Sequence, residues 1–312
     1  MDWATVAVRL ALYLDLAALF GLPLFALYAL RQEERRSSIG ASFATLCKVA
    51  ATLGIVLSFV NIAVMAKGMT GAASYTELQG HVFEMIVTGT AFGTAWIVRL
   101  VALFLCLLAA LFLRNRPLSQ FSAITGGAAF ALATLAWGGH GAMDDGVKGY
   151  IHLASDIAHL IAAGAWFGAL IAFVLLSRTA ATPNKVALLS RTSNGFAQVG
   201  TMVVATLVVT GVVNYWMIFG LQLPELSLAS YGGLLLFKLA LFGVMLLLAA
   251  ANRFHLSPQL EHAVRTGDHV VAVRTLQRSL TLETGAATLI LVLVASLGIL
   301  SHANVRPLQS RG

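Results

Sequence analysis

Apolar residues fall along this chain in long runs separated by short polar connections, and the runs recur from one end to the other. About 20 such residues in a helix cross the ~30 Å hydrocarbon layer of a bilayer. Hydropathy places eight spans near 3–30, 42–66, 84–113, 120–138, 150–177, 195–219, 230–253 and 275–300. A backbone inside lipid must satisfy its own hydrogen bonds, so open sheet edges are excluded there. The expected fold is therefore all-α, a polytopic membrane protein built as a bundle of about eight transmembrane helices. No polar segment is long enough for a separate soluble unit and no internal repeat stands out, so 1–312 reads as a single integral membrane domain. The first span starts almost at Met1 without a basic n-region or a clear cleavage site, which predicts that it is retained.

Composition agrees with this reading. The chain is 59% hydrophobic and 11% charged, where a soluble domain carries about 25% charged residues. Its net charge of +7 is distributed by side. The connections after spans one, three, five and seven hold twelve Lys and Arg residues, Arg31, Arg35, Arg116 and Arg191 among them. The opposite side holds Lys67, Lys148, Arg306 and Arg311. The positive-inside rule puts the first set in the cytoplasm and both termini in the periplasm of a Gram-negative host. The positive charge thus reads as topology, and no nucleic-acid partner is expected. Cys47 and Cys106 lack CxxC spacing and fall toward the reducing side, so they read as free thiols.

Once sides are assigned, the histidines separate into two groups. His255, His262 and His269 lie in a cytoplasmic segment that predicts a short amphipathic surface helix, and they read as solvated. His81, His140, His152, His159 and His302 lie in the outer half or the outer loops, together with Met65, Met69, Met85, Met143 and Met217. Imidazole suits several transition metals and thioether sulfur favours Cu(I). A His/Met mixture without thiolates on an oxidising face points to a copper ion, Cu(I) or Cu(II), rather than zinc.

The stretch "HLASDIAHL", residues 152–160, concentrates this chemistry. His152, Asp156 and His159 share one helical stripe, because seven residues return to nearly the same face about 10.5 Å further on. Two imidazoles that far apart cannot readily share one ion at metal–nitrogen bonds of about 2 Å, so they read as successive stations. His159 falls near the bilayer midplane, where an ionisable group faces a bundle interior, a cavity or a partner. Asp156 is placed to orient both rings, as a carboxylate commonly does for a metal-ligating histidine. The plainer alternative is a hydrogen-bonded triad that only packs helices.

Other intramembrane charges are Arg9, Asp15, Glu84, Arg99, Lys238 and Glu283. Depth alone suggests an Arg99–Glu283 pair and a pairing of Lys238 with Asp15 or Asp156. Asn61 and Asn214 add polarity to the outer half. Two GxxxG patterns, Gly89–Gly93 and Gly164–Gly168, predict close helix approach.

The segments "TGTAFGTAWIVRL", "GHGAM…GYIHLASDIAHLIAAGAWFGAL", "VTGVVNYW", "YGGLLLFKLALFGVMLLLAANRFHLSPQL" and "LQRSLTLETG" resemble, in order, the CopD family of bacterial inner-membrane copper-resistance proteins. The resemblance spans roughly residues 80–300, and the first two spans match in hydropathy only. It implies a role in copper homeostasis, moving copper across the inner membrane from the periplasm, with His140, His152, Asp156 and His159 in the histidine-bearing segment. Met143, His81 and His302 are added from topology. Family members often work with a small periplasmic copper carrier, CopC, which here would be a separate chain.

The leading expectation is a copper permease rather than an enzyme, with capture at His140, His152 and Met143, transfer to His159, and an inward path past Cys106. No Walker A or phosphorylated-aspartate motif is recognisable, which argues against direct ATP drive. Two alternatives stand beside it. One is a membrane haem-b redox protein, which would draw axial histidines from two facing helices. The other is a periplasmic-face copper-binding or docking protein without transport, which has no need of a deep His159, Lys238 or Glu283.

Overall fold

Eleven α-helices, two 3-10 helices (Tyr75–Glu77 and Thr134–Gly138) and a π-helical turn (Asn252–Leu256) make up the regular structure of the described residues of the computed structural model, which are 3–138, 146–179, 182–220, 231–266 and 270–304. The α-helices are α1 (Trp3–Ala29), α2 (Gln32–Arg35), α3 (Ser38–Thr70), α4 (Gly80–Gly89), α5 (Ala91–Phe112), α6 (Pro117–Ala133), α7 (Gly146–Thr179), α8 (Pro183–Phe219), α9 (Tyr231–Ala251), α10 (Ser257–Thr266) and α11 (Val270–Asn304). Among the described residues there is no strand. Among the described residues eight helices are long and apolar enough to cross a membrane, each overlapping one of the spans hydropathy assigns.

The third span differs from expectation. The run 84–113 is not one helix, because Thr90 takes an extended conformation (φ −129°, ψ 149°) between α4 and α5. Its hydroxyl donates to the Ile86 carbonyl (2.7 Å) and accepts from the Gly93 amide (2.9 Å), closing one helix and capping the next. The crossing helix is therefore α5. Glu84, expected inside the span, is exposed on α4. This short helix packs its Val82 and Ile86 against Ile62 and Ala66 of α3. The Gly89–Gly93 pattern thus straddles a helix junction, and a methyl group at Gly93 would strike the Ile86 and Val87 carbonyls.

Helices α1 and α7 are the most enclosed of the spans, while α8 and α9 turn most of their length outward. The α1–α7 crossing is nearly backbone on backbone. A methyl group at Gly168 would overlap the Gly21 backbone, and one at Gly21 would overlap the Gly164 carbonyl. The predicted close approach at Gly164–Gly168 is present, with α1 as the neighbour. Edge-on aromatic contacts continue the core outward: Phe25 of α1 meets Phe43 of α3 (centroids 6.4 Å) and Phe173 of α7 (5.1 Å). Phe173 in turn meets Phe196 of α8 at 5.4 Å.

At the arginine-rich end, Arg191 of α8 donates to both Glu34 oxygens (2.7 and 2.6 Å) and to the Ala29 carbonyl (3.0 Å). This fork ties α8 to the α1–α2 corner. The amphipathic helix expected in the cytoplasmic segment is α10, which buries Leu260 and Ala263 and leaves His262 exposed. His255 is exposed as well, and His269 lies outside the described residues.

Candidate functional site

The stripe of α7 faces α8. Asn214 Nδ2 donates to Asp156 Oδ1 at 2.7 Å, and His159 Nδ1 lies 2.8 Å from Thr210 Oγ1. Thr210 and Asn214 are four apart on α8, so the two helices meet in successive polar rungs. Ser155 adds a bond to the Thr210 carbonyl at 3.3 Å. His152, one turn further out, is buried at 1% exposure.

The Thr210 hydroxyl is also within 2.6 Å of the Thr206 carbonyl. With its single proton on that carbonyl, its oxygen accepts from His159 Nδ1–H and the lone pair is left on Nε2. The Nδ1 partner of this ring is thus Thr210 rather than Asp156, and Asn214 donates to Asp156.

His159 lines a half-open cavity of about 560 Å³ between α1, α7, α8, α9 and α11. Its walls are largely apolar, with Tyr13, Tyr215 and Lys238 as further polar groups. Lys238 lines the same cavity as His159. Asp15 instead points at Gly54 and Leu103 on the other side of α1. The Arg99–Glu283 pair does not form. Arg99 donates to Thr134 at 2.8 Å, whereas Glu283 accepts from Trp166 (3.0 Å) and Asn252 (2.9 Å). A second cavity of about 360 Å³, nearer the arginine-rich end, is lined by Phe173, Phe196, Asn252, Ser257 and Glu283.

The remaining candidates are placed unevenly. His140 and Met143 lie outside the described residues, as does the side chain of His302. His81 is exposed at the start of α4 and lines neither cavity, and Met69 and Met85 are exposed. Cys106 is buried between α5 and α6, with its thiol 3.5 Å from the Ile124 carbonyl, and it also lines neither cavity. Among the described residues no three His, Cys, Asp or Glu side chains gather closely enough to hold a metal ion. Sequence reasoning passed over Thr210, Tyr13, Trp166 and Asn252. For Thr210 a signal existed, since "TGVVN" repeats on α8 the four-residue polar spacing of the α7 stripe.

Comparison with known proteins bears on this arrangement. Residues 1–150 match the family model for the copper resistance protein D-like N-terminal domain, and residues 190–297 match that for copper resistance protein D. Copper resistance protein D of Pseudomonas syringae pv. tomato is 47% identical over 306 residues, covering 96% of this chain and 97% of the relative. The chain belongs to the copper resistance protein D family. The matched residues begin at residue 1, so the first two spans, which carry no motif visible by eye, are included.

More distant relatives are similar as well. Inner membrane protein YebZ of Escherichia coli is 28% identical, over 82% of this chain and 85% of that protein. Copper transport protein CutJ of Bacillus subtilis is 27% identical over 80% of this chain, which corresponds to 46% of that longer protein. No solved structure matches. The α7 stripe lies in the stretch between the two family models, so its reading rests on the geometry above.

Proposed function

We propose that this family member is a copper-homeostasis protein of the bacterial inner membrane that moves copper from the periplasm toward the cytoplasm through a path along α7. The observation that carries the reading is His159, held by Thr210 on the wall of a cavity between the helices. Imidazole is a competent copper ligand, and a ring held by a hydrogen-bond partner binds with less reorganisation. In this scheme copper is substrate. His140 and Met143, just before α7, collect it with His152; Asp156 supplies negative charge along the stripe; His159 is the deeper station. His81 and His302 sit toward the same end as auxiliary groups, and a separate CopC-like chain delivers the ion. The relatives' printed names, copper resistance and copper transport, support the cargo. The printed name of the Escherichia coli relative supports the membrane. The side of the arginine-rich connections supports periplasmic termini.

The test is copper content of detergent-purified protein, under oxidising and reducing conditions, followed by copper uptake into proteoliposomes. His152→Ala and His159→Ala are compared with the wild type. Stepwise loss of bound copper with loss of uptake is expected. Wild-type binding and uptake in His159→Ala would overturn the path, and a haem Soret band without copper would replace it with the redox reading.

A further inference from the structure

Helix α4 is too short to cross a bilayer and lines neither cavity. A ten-residue helix is marginal on its own, so packing decides where it lies. Val82 and Ile86 are buried against Ile62 and Ala66 of α3, with Phe83 and Val87 half-buried beside them. The opposite face carries His81, Glu84, Met85 and Thr88, all exposed. Polar groups of this kind place that face in water rather than in lipid. Methionine normally fills gaps in apolar packing, yet the Met85 side chain is half exposed among them. The Thr88 hydroxyl turns back to the Glu84 carbonyl at 2.8 Å. The chemistry this face offers outward is therefore an imidazole, a carboxylate and a thioether. Among the described residues no cation pairs with Glu84. Lys67, at the end of α3, sits instead over the Tyr75 ring at 4.7 Å.

We propose that His81, Glu84 and Met85 form a surface copper site on α4, at the end of the molecule opposite the arginine-rich connections. Residues 81, 84 and 85 stand at i, i+3 and i+4, neighbours about 5–6 Å apart at Cβ. Helical side chains lean toward the N-terminus, so Glu84 and Met85 reach back over the turn that holds His81. A carboxylate and an imidazole three apart, or two ligands four apart, are spacings by which one helix supplies metal ligands. Thioether sulfur beside imidazole favours Cu(I) over hard cations. The carboxylate offsets the charge of the ion and the positive end of the α4 dipole, which opposes it. An ion held from one helix face keeps the other side of its coordination sphere accessible to an incoming ligand. That suits hand-over from a donor in solution rather than storage. The part this site plays as a capture point for His152 and His159 rests on the transport reading above.

The test follows the methyl resonances of the eight methionines in full-length, detergent-purified protein labelled with [13C-methyl]methionine. Cu(I) is added under ascorbate, and Met85→Leu, which keeps volume and helix preference, assigns the Met85 signal. That signal is expected to shift with copper and to persist in shifting in His159→Ala. His81→Ala is expected to raise the copper concentration required at least tenfold, and Glu84→Gln about threefold. A Met85 resonance that stays unmoved, or that responds equally without His81, overturns the site. In proteoliposomes Met85→Leu is expected to raise KM for copper uptake at least fivefold with an unchanged maximal rate, and an unchanged KM overturns the capture role. If the wild type moves no copper while Met85 still responds through His81, the transport reading falls and the site stands. Uptake by a protein whose Met85 signal never moves removes the site and leaves the transport reading.

Discussion

Thr210 holds His159 through a 2.8 Å bond to Nδ1, and its own proton is committed to the Thr206 carbonyl. The imidazole is thereby held in orientation by a residue on the facing helix. Thr210→Val keeps the side-chain volume and removes the acceptor. Loss of an orienting partner of this kind costs about 10–100-fold in metal affinity. Copper titration of purified Thr210→Val should show that weakening, and Thr210→Ser should recover most of it. Wild-type affinity in the valine variant would mean that the bond does not prepare the ring.

Lys238 lines the cavity that His159 lines, and when protonated it opposes a cation bound there. At an effective dielectric constant of about 20, a unit charge about 10 Å away contributes roughly 1–2 kcal/mol, or about tenfold in affinity. Lys238→Met should therefore tighten copper binding by about tenfold. Weaker binding in that variant would show instead that Lys238 chiefly maintains the conformation of Asp156.

Gly168 packs on the Gly21 backbone with no room for a methyl group, whereas Gly126 on α6 has open space at the corresponding point. Forcing extra volume into a filled contact costs about 1–3 kcal/mol or more. Gly168→Ala should lower the thermal midpoint in detergent and the folded yield, while Gly126→Ala leaves both near wild type. Equal midpoints for the two variants would show that the α1–α7 crossing yields freely.

The eight spans were legible because hydropathy reports the bilayer directly, but it does not report helix ends. Helix α8 begins at Pro183 rather than near residue 195. Its first turns carry Lys185 and Arg191, which lower the mean hydropathy of the run, yet they bury Val186 and Leu189 and bond Glu34. Thr90 divides α4 from α5 through two local hydrogen bonds, and one hydroxyl barely alters the mean hydropathy of the run.

The stripe His152, Asp156, His159 followed from spacing alone, yet its partners did not. Sequence position estimates how deep a side chain lies and says nothing of which neighbour it faces. Arg99 and Glu283 were matched by depth, but Arg99 turns to Thr134 and Glu283 to Trp166 and Asn252. Asp156 was matched to Lys238 on the same basis, and the partner the structure gives it is Asn214 of α8.

The contact among Gly21, Gly164 and Gly168 has a consequence for how the sequence can drift. A β-carbon at Gly21 would meet the Gly164 carbonyl and the Gly168 backbone, and one at Gly168 would meet the Gly21 backbone. Neither position can gain a methyl group while the helix spacing is kept. The helix that carries His152, Asp156 and His159 thus meets α1 through main chain, and a change there shifts the whole helix rather than one side chain.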